Sequence, residues 1–288
     1  MKKLKVGDTI GIIATSGAIE DCESIARGCK LFEERGYKVV VSEGIYEESR
    51  YLAGTDESRV QELHKFFADP QINAIICFRG GYGAIRIINM LDYDLIRKNP
   101  KIFCGYSDIS ALSAMMLKRA GLITYSGPMF QSDFGAKEPS EFTINAFFDA
   151  LTKDRLTSEG TKTYRSGNAE GILWGGNLMT IASLCGQDFI PDEKFIFFTE
   201  DLNEKAYQVD RMMTQLLNIE KFRNNIQAII LGNFLGMDNQ EWLDEFWEEI
   251  AQKLQIPVAG GFKITHGPDK VTIPYGVKAT LRDLEVKV

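Results

Sequence analysis

Cysteine and histidine are scarce in this 288-residue chain. The five cysteines, Cys22, Cys29, Cys77, Cys104 and Cys185, are odd in number and form no C-x-x-C pair. That excludes a secreted disulfide framework and favours a reducing compartment. His64 and His266 are the only histidines. Without clustered Cys and His ligands no zinc site is expected. No run of about 18 apolar residues exists to span a membrane. The start, Met1-Lys2-Lys3-Leu4-Lys5, imitates the basic end of a signal peptide, but Asp8 interrupts the apolar stretch that should follow. The expected location is therefore cytoplasmic, with no membrane partner. Bases are outnumbered, 33 Lys and Arg against 40 Asp and Glu for a net charge of −7. With no Lys/Arg run, a nucleic-acid partner is not expected either.

What is present is an alternation. Short apolar runs at 9–14, 38–42, 74–78, 102–104 and 122–125 read as strands. Between them, 19–35 places Ile25, Cys29 and Phe32 on one helical face, and 56–68 does the same with Val60, Leu63 and Phe67. Apolar strands alternating with amphipathic helices predict a parallel, doubly wound sheet covered on both faces. Such sheets bind ligands at the carboxyl ends of their strands. Residues 152–168 are polar and read as a linker. Beyond it come strands at 171–174, 195–199 and 227–231, helices at 204–218 and 239–254, and short strands from 271 to 288. The expectation is an α/β domain over 1–151 and a mixed α+β domain over 169–288.

Four fragments carry candidate chemistry. In Cys104-Gly105-Tyr106-Ser107-Asp108-Ile109 an apolar strand runs through Gly-x-Ser into a helix, a turn that would expose the Ser107 hydroxyl near helix amides. Ile109 replaces the last glycine of the full G-x-S-x-G pattern, and the plain alternative is that Ser107 or Asp108 caps the helix. Arg79-Gly80-Gly81-Tyr82-Gly83 follows a strand directly and suits an anion nest, an oxyanion-hole strand end or simply a tight turn. His266 lies in the loop Thr265-His266-Gly267-Pro268, where it is available as a base. His64 reads as a helix-flank residue. Glu200 ends an apolar strand beside Asp201, placed to orient a histidine or to cap a helix near Asn203.

Together with Gly7-Asp8-Thr9-Ile10, Leu91-Asp92-Tyr93-Asp94, Gly127-Pro128-Met129, Gly175-Gly176-Asn177-Leu178 and Pro274-x-Gly276, these fragments resemble, nearly end to end, the LD-carboxypeptidase family of serine peptidases. That family also holds the microcin C self-immunity peptidases. The resemblance implies a Ser–His–Glu triad of Ser107, His266 and Glu200 in an interdomain cleft. It implies an oxyanion hole from the backbone of Asp108 and of Gly80 or Gly81. Substrate contacts would come from Arg79, Tyr82 and Asn177. It further implies release of D-Ala from a murein peptide during peptidoglycan recycling, with no metal or organic cofactor, and a homodimer. Cleavage of a peptidyl-nucleotide antibiotic is the alternative within the family, and a non-catalytic small-ligand binder the alternative outside it. Two positions depart from the family pattern: Ser126 stands where His is usual, and Ser110 where Thr is usual.

Overall fold

The computed structural model describes residues 3–153 and 156–288. The chain divides into two compact units, one running to Thr152 and regaining Thr272–Pro274, the other formed by Lys153–Val271 and Tyr275–Val288.

In the first unit, strands β1 (Thr9–Ile13), β2 (Lys38–Val41), β3 (Ile72–Cys77), β4 (Ile102–Cys104) and β5 (Thr124–Ser126) alternate with helices α1 (Glu23–Glu34), α2 (Asp56–Ala68), α3 (Ala84–Ile87), α4 (Tyr93–Lys98) and α5 (Ser110–Ala120), and α6 (Glu141–Thr152) follows. The strands lie in the order β2-β1-β3-β4-β5, and each adjoining pair is parallel. Ile10, Ile12, Ile75 and Ile76 have no exposed surface, as the all-apolar strand sequences require of a sheet covered on both sides. The chain leaves β1 toward β2 on one side and builds β3, β4 and β5 on the other. The strand order therefore reverses between β1 and β3, the place where parallel sheets of this kind bind ligands at their carboxyl ends.

The second unit holds β6 (Thr157–Glu159), β7 (Lys162–Arg165), β8 (Asn168–Asn177), α7 (Leu178–Ser183), β9 (Phe195–Leu202), α8 (Ala206–Leu217), α9 (Glu220–Asn225), β10 (Ile226–Leu235), α10 (Gln240–Leu254), β11 (Val258–Gly260), β13 (Lys278–Arg282) and β14 (Glu285–Lys287), with β12 (Ile273–Tyr275) lying between β11 and β13 in the chain. Among the described residues its sheet has the order β6-β14-β13-β8-β9-β10-β11-β7. β8 to β11 are parallel and the flanking strands antiparallel, which makes the unit mixed. Trp174 packs on Phe195 at 4.9 Å between ring centroids, and Phe195 on Phe222 at 5.3 Å. On α10, Leu243, Trp247 and Ile250 are buried, while Phe246 and Leu254 on the same stripe are half-buried.

Two expectations change. The segment 152–168 is not a linker throughout, since it contains β6 and β7. These are the two edge strands of the sheet, and edge strands are short and polar because one side faces water. Asp154 and Arg155 of that segment lie outside the described residues. The stretch 169–288 is also not one continuous domain, because β12 joins the first sheet beside β5. Among the described residues no helix is long and apolar enough to cross a membrane.

Candidate active site

Ser107 follows β4 and begins a single 3-10 turn, Ser107–Ile109, that runs straight into α5. Its φ is +60°, a left-handed conformation that non-glycine residues adopt rarely and under strain. Neighbours Tyr106, Asp108 and Ile109 are buried, while Ser107 keeps partial exposure. Neither Ser107 nor Asp108 caps α5, whose N-terminus has no side-chain cap. Asp108 turns instead to another helix: its carboxylate accepts the Ala84 N–H at the start of α3, 2.8 Å away. Burial pushes the Asp108 carboxyl upward, and the Ser16 hydroxyl, the Ala84 amide and the Arg59 charge pull it back.

The glycine loop after β3 runs beside this turn. Gly17 N–H donates to the Gly80 carbonyl at 3.0 Å, which ties the β1 and β3 loops together. A Cβ on Gly80 would stand 3.1 Å from Ser107 Cβ and 3.3 Å from its Oγ, whereas the nearest atoms to one on Gly81 belong to Arg79 and Gly17. Of the two glycines, Gly80 is therefore the neighbour of Ser107. Gly80→Ala keeps an allowed backbone but crowds the hydroxyl. The expected result is a fall in kcat of about tenfold or more, with the melting temperature within a few degrees of wild type. Steady-state rates and a thermal melt on the same preparation check it.

A side chain absent from the sequence-derived candidates holds these loops. Arg59 of α2 is 2% exposed. Its Nη1 donates to the carbonyls of Thr15 at 2.7 Å and Gly83 at 3.0 Å, and its Nη2 pairs with Asp56. Gly83 has φ +139°, and a Cβ there would meet Arg59 Nη1 at 2.8 Å. The signal was available: Arg59 stands four residues before Leu63 and seven before Phe66, on the buried stripe of α2, where an unpaired charge is costly.

In the second unit, the parallel register of β8 and β9 sets Asn177 opposite Glu200 at the strands' carboxyl ends. The Glu200 carboxylate, 3% exposed, lies 2.6 Å from Nδ1 of His266. With Nδ1 donating to that carboxylate, Nε2 is the ring nitrogen without a proton in the neutral imidazole. Asn177 Nδ2 donates to Glu200 Oε1 at 3.3 Å and to Asp201 Oδ1 at 2.8 Å. Asp201 also accepts the N–H groups of Met179 and Leu202. Burial nonetheless pushes Asp201 up to about 6, against the pull of those donors. Glu200 caps no helix near Asn203, because α8 starts at Ala206, whose N–H donates to Asp238. Asn177 is 6% exposed, and its amide nitrogen donates to the two acids, so it braces Glu200.

The other sequence candidates fall as follows. Arg79 Nη1 donates to the Ala18 carbonyl at 3.0 Å and pairs with Glu20. Tyr82 is exposed, its ring 5.8 Å from that of Tyr51. His64 Nε2 accepts the Asp92 N–H at 2.8 Å, a local support for the start of α4. Ser110 is buried in α5, and Ser126 ends β5 half-buried. Among the described residues no group of three or more His, Cys, Asp or Glu is placed to hold a metal ion. Ser107 and its glycine loop thus belong to the first unit, and the Glu200–His266 pair to the second.

Comparison with known proteins agrees with this division. Residues 10–127 match the LD-carboxypeptidase N-terminal domain, and residues 170–281 the LD-carboxypeptidase C-terminal domain. A probable murein peptide carboxypeptidase of Bacillus subtilis is 33% identical over 294 residues, covering 99% of this chain and 92% of that one. The microcin C7 self-immunity protein MccF of Escherichia coli is 29% identical, over 96% of this chain and 91% of that one. The crystal structure of an MccF-like protein from Bacillus anthracis superposes with a TM-score of 0.91 at 30% identity, covering 100% of this chain and 98% of that one. The chain is a peptidase, and it belongs to the LD-carboxypeptidase family.

Proposed function

We propose that this peptidase is a serine carboxypeptidase that hydrolyses the amide between an L-configured centre and a terminal D-amino acid of murein peptides. Ser107 is the nucleophile, His266 the base and Glu200 the acid that orients it. Ser107 Oγ attacks the scissile carbonyl as its proton passes to His266 Nε2. The oxyanion accepts hydrogen bonds from the N–H groups of Asp108 and Gly80. Collapse of the tetrahedral intermediate expels the amine of D-Ala, which takes the proton back from His266. Water then attacks the acyl-enzyme with the same base and frees Ser107. The reading brings Ser107 from the first unit to His266 of the second. The observation that supports it most is the buried Glu200 carboxylate 2.6 Å from His266 Nδ1, the acid–histidine half of a triad.

Cleavage of a peptidyl nucleotide is the rival reading, since MccF and an MccF-like protein are among the relatives. The antibiotic branch of the family typically carries an extra loop, and only Asn203, Glu204 and Lys205 separate β9 from α8 here. The test incubates the purified protein with murein tetrapeptide and, separately, with a peptidyl-adenylate analogue, and identifies the products by mass spectrometry. The expected result is D-Ala release from the tetrapeptide. Adenylate cleavage without D-Ala release would reverse the order of the two readings.

A further inference from the structure

A carboxypeptidase acts on a substrate that ends one residue beyond the bond it cuts. By standard bond lengths the free carboxylate carbon lies under about 4 Å from the scissile carbonyl carbon. A cation on the nucleophile's own loops is therefore within reach of that carboxylate. Three arginines stand on or against the glycine loop after β3 and the start of α3. Arg59 is buried and committed to Thr15, Gly83 and Asp56. Arg86 makes a fork with Asp56, Nε to Oδ1 at 2.8 Å and Nη2 to Oδ2 at 2.6 Å. Arg79 is the third, and it immediately precedes Gly80, whose α-carbon adjoins Ser107.

The Arg79 side chain lies across Gly17, where a Cβ would stand 3.2 Å from its Nε and 3.3 Å from its Cζ. Only Nη1 is engaged, by the Ala18 carbonyl and the Glu20 carboxylate. Among the described residues Nε and Nη2 donate to no acceptor. Those two donors form one edge of the planar guanidinium, the edge geometry that grips a carboxylate in two parallel hydrogen bonds. Glu20 is 67% exposed, and an ion pair that open holds its partner weakly, so it leaves the guanidinium able to take a second carboxylate.

We propose that Arg79 recognises the terminal carboxylate of the peptide and so makes the enzyme cut one residue from the end. This assignment rests on Ser107 as nucleophile, because the distance argument starts there. The test compares a murein tetrapeptide as free acid with the same peptide as its C-terminal amide. Turnover is measured on the wild type and on Arg79→Gln and Arg79→Lys, and Kd by calorimetry on Ser107→Ala with and without Arg79→Gln. The wild type is expected to prefer the acid by about 10²-fold in kcat/KM, and Ser107→Ala to show a similar preference in Kd. Arg79→Gln should bring both ratios to within about threefold of unity, and Arg79→Lys should keep part of the preference. Equal handling of acid and amide by the wild type, or an unchanged preference in Arg79→Gln, overturns the assignment. A binding preference that depends on Arg79, found where Ser107→Ala turns over the acid as fast as the wild type, upholds Arg79 and removes Ser107. Binding of neither peptide overturns both.

Discussion

Ser107→Ala is expected to lower kcat for D-Ala release by about 10⁴-fold or more, leaving what the oxyanion donors and substrate binding supply. The fold should hardly notice. The hydroxyl is partly exposed, and alanine adopts the +60° φ no more easily than serine, so the backbone strain is unchanged. Ser107→Gly separates the two contributions. It removes the hydroxyl and the strain together, so it should be equally inactive yet more stable than Ser107→Ala by about 1 kcal/mol. Rates and thermal melts on both variants check this. Near-wild-type turnover in either one would remove Ser107 as nucleophile.

Glu200→Gln carries the second large effect. The carboxylate meets two donors, His266 at 2.6 Å and Asn177 Nδ2 at 3.3 Å. An ionised carboxylate accepts from both, but glutamine offers one oxygen and one NH2 group. If the oxygen serves Asn177, the NH2 faces Nδ1 and forces His266 into the tautomer whose Nε2 carries a proton and cannot act as base. If the oxygen serves His266, two NH2 groups face each other in a buried site. Either way the charge that stabilises the imidazolium is gone. The expected loss in kcat is about 10²–10³-fold, with KM for the peptide changed little because the carboxylate faces the ring. A merely local role for Glu200 would lower the melting temperature and leave kcat intact. Measuring both on one preparation decides between them.

Much of the first unit was legible because burial on both faces leaves a strong trace. Strands such as Ile72–Cys77 must be almost wholly apolar, and the glycines after them mark where backbones approach closely. Glu200 and His266 stood out as a strand-end acid and a loop histidine, and the resemblance tied them to Ser107. Other features left weaker traces. β6 and β7 are edge strands, so their polar alternation looks like a linker. The return of β12 to the first sheet is a long-range pairing that no local pattern encodes. Asp108 was read only for its amide and as a possible cap of its own helix; its carboxylate caps α3, a partner 24 residues away in sequence. Asn177 entered only as a substrate contact implied by the resemblance, and no local pattern pointed to the acids it bonds. The register of β8 against β9 sets it beside Glu200 and Asp201, a pairing set by the fold.

The proposed function requires Ser107 of the first unit and His266 of the second to work as one catalytic group. The most direct measurement is the kcat for D-Ala release by Ser107→Ala, His266→Ala and the double variant, with the wild type alongside. Acting as a unit, the two single changes should cost similar factors, and the double variant should be little slower than either one. Single losses that multiply in the double variant would show that Ser107 and His266 act independently, and would contradict the triad.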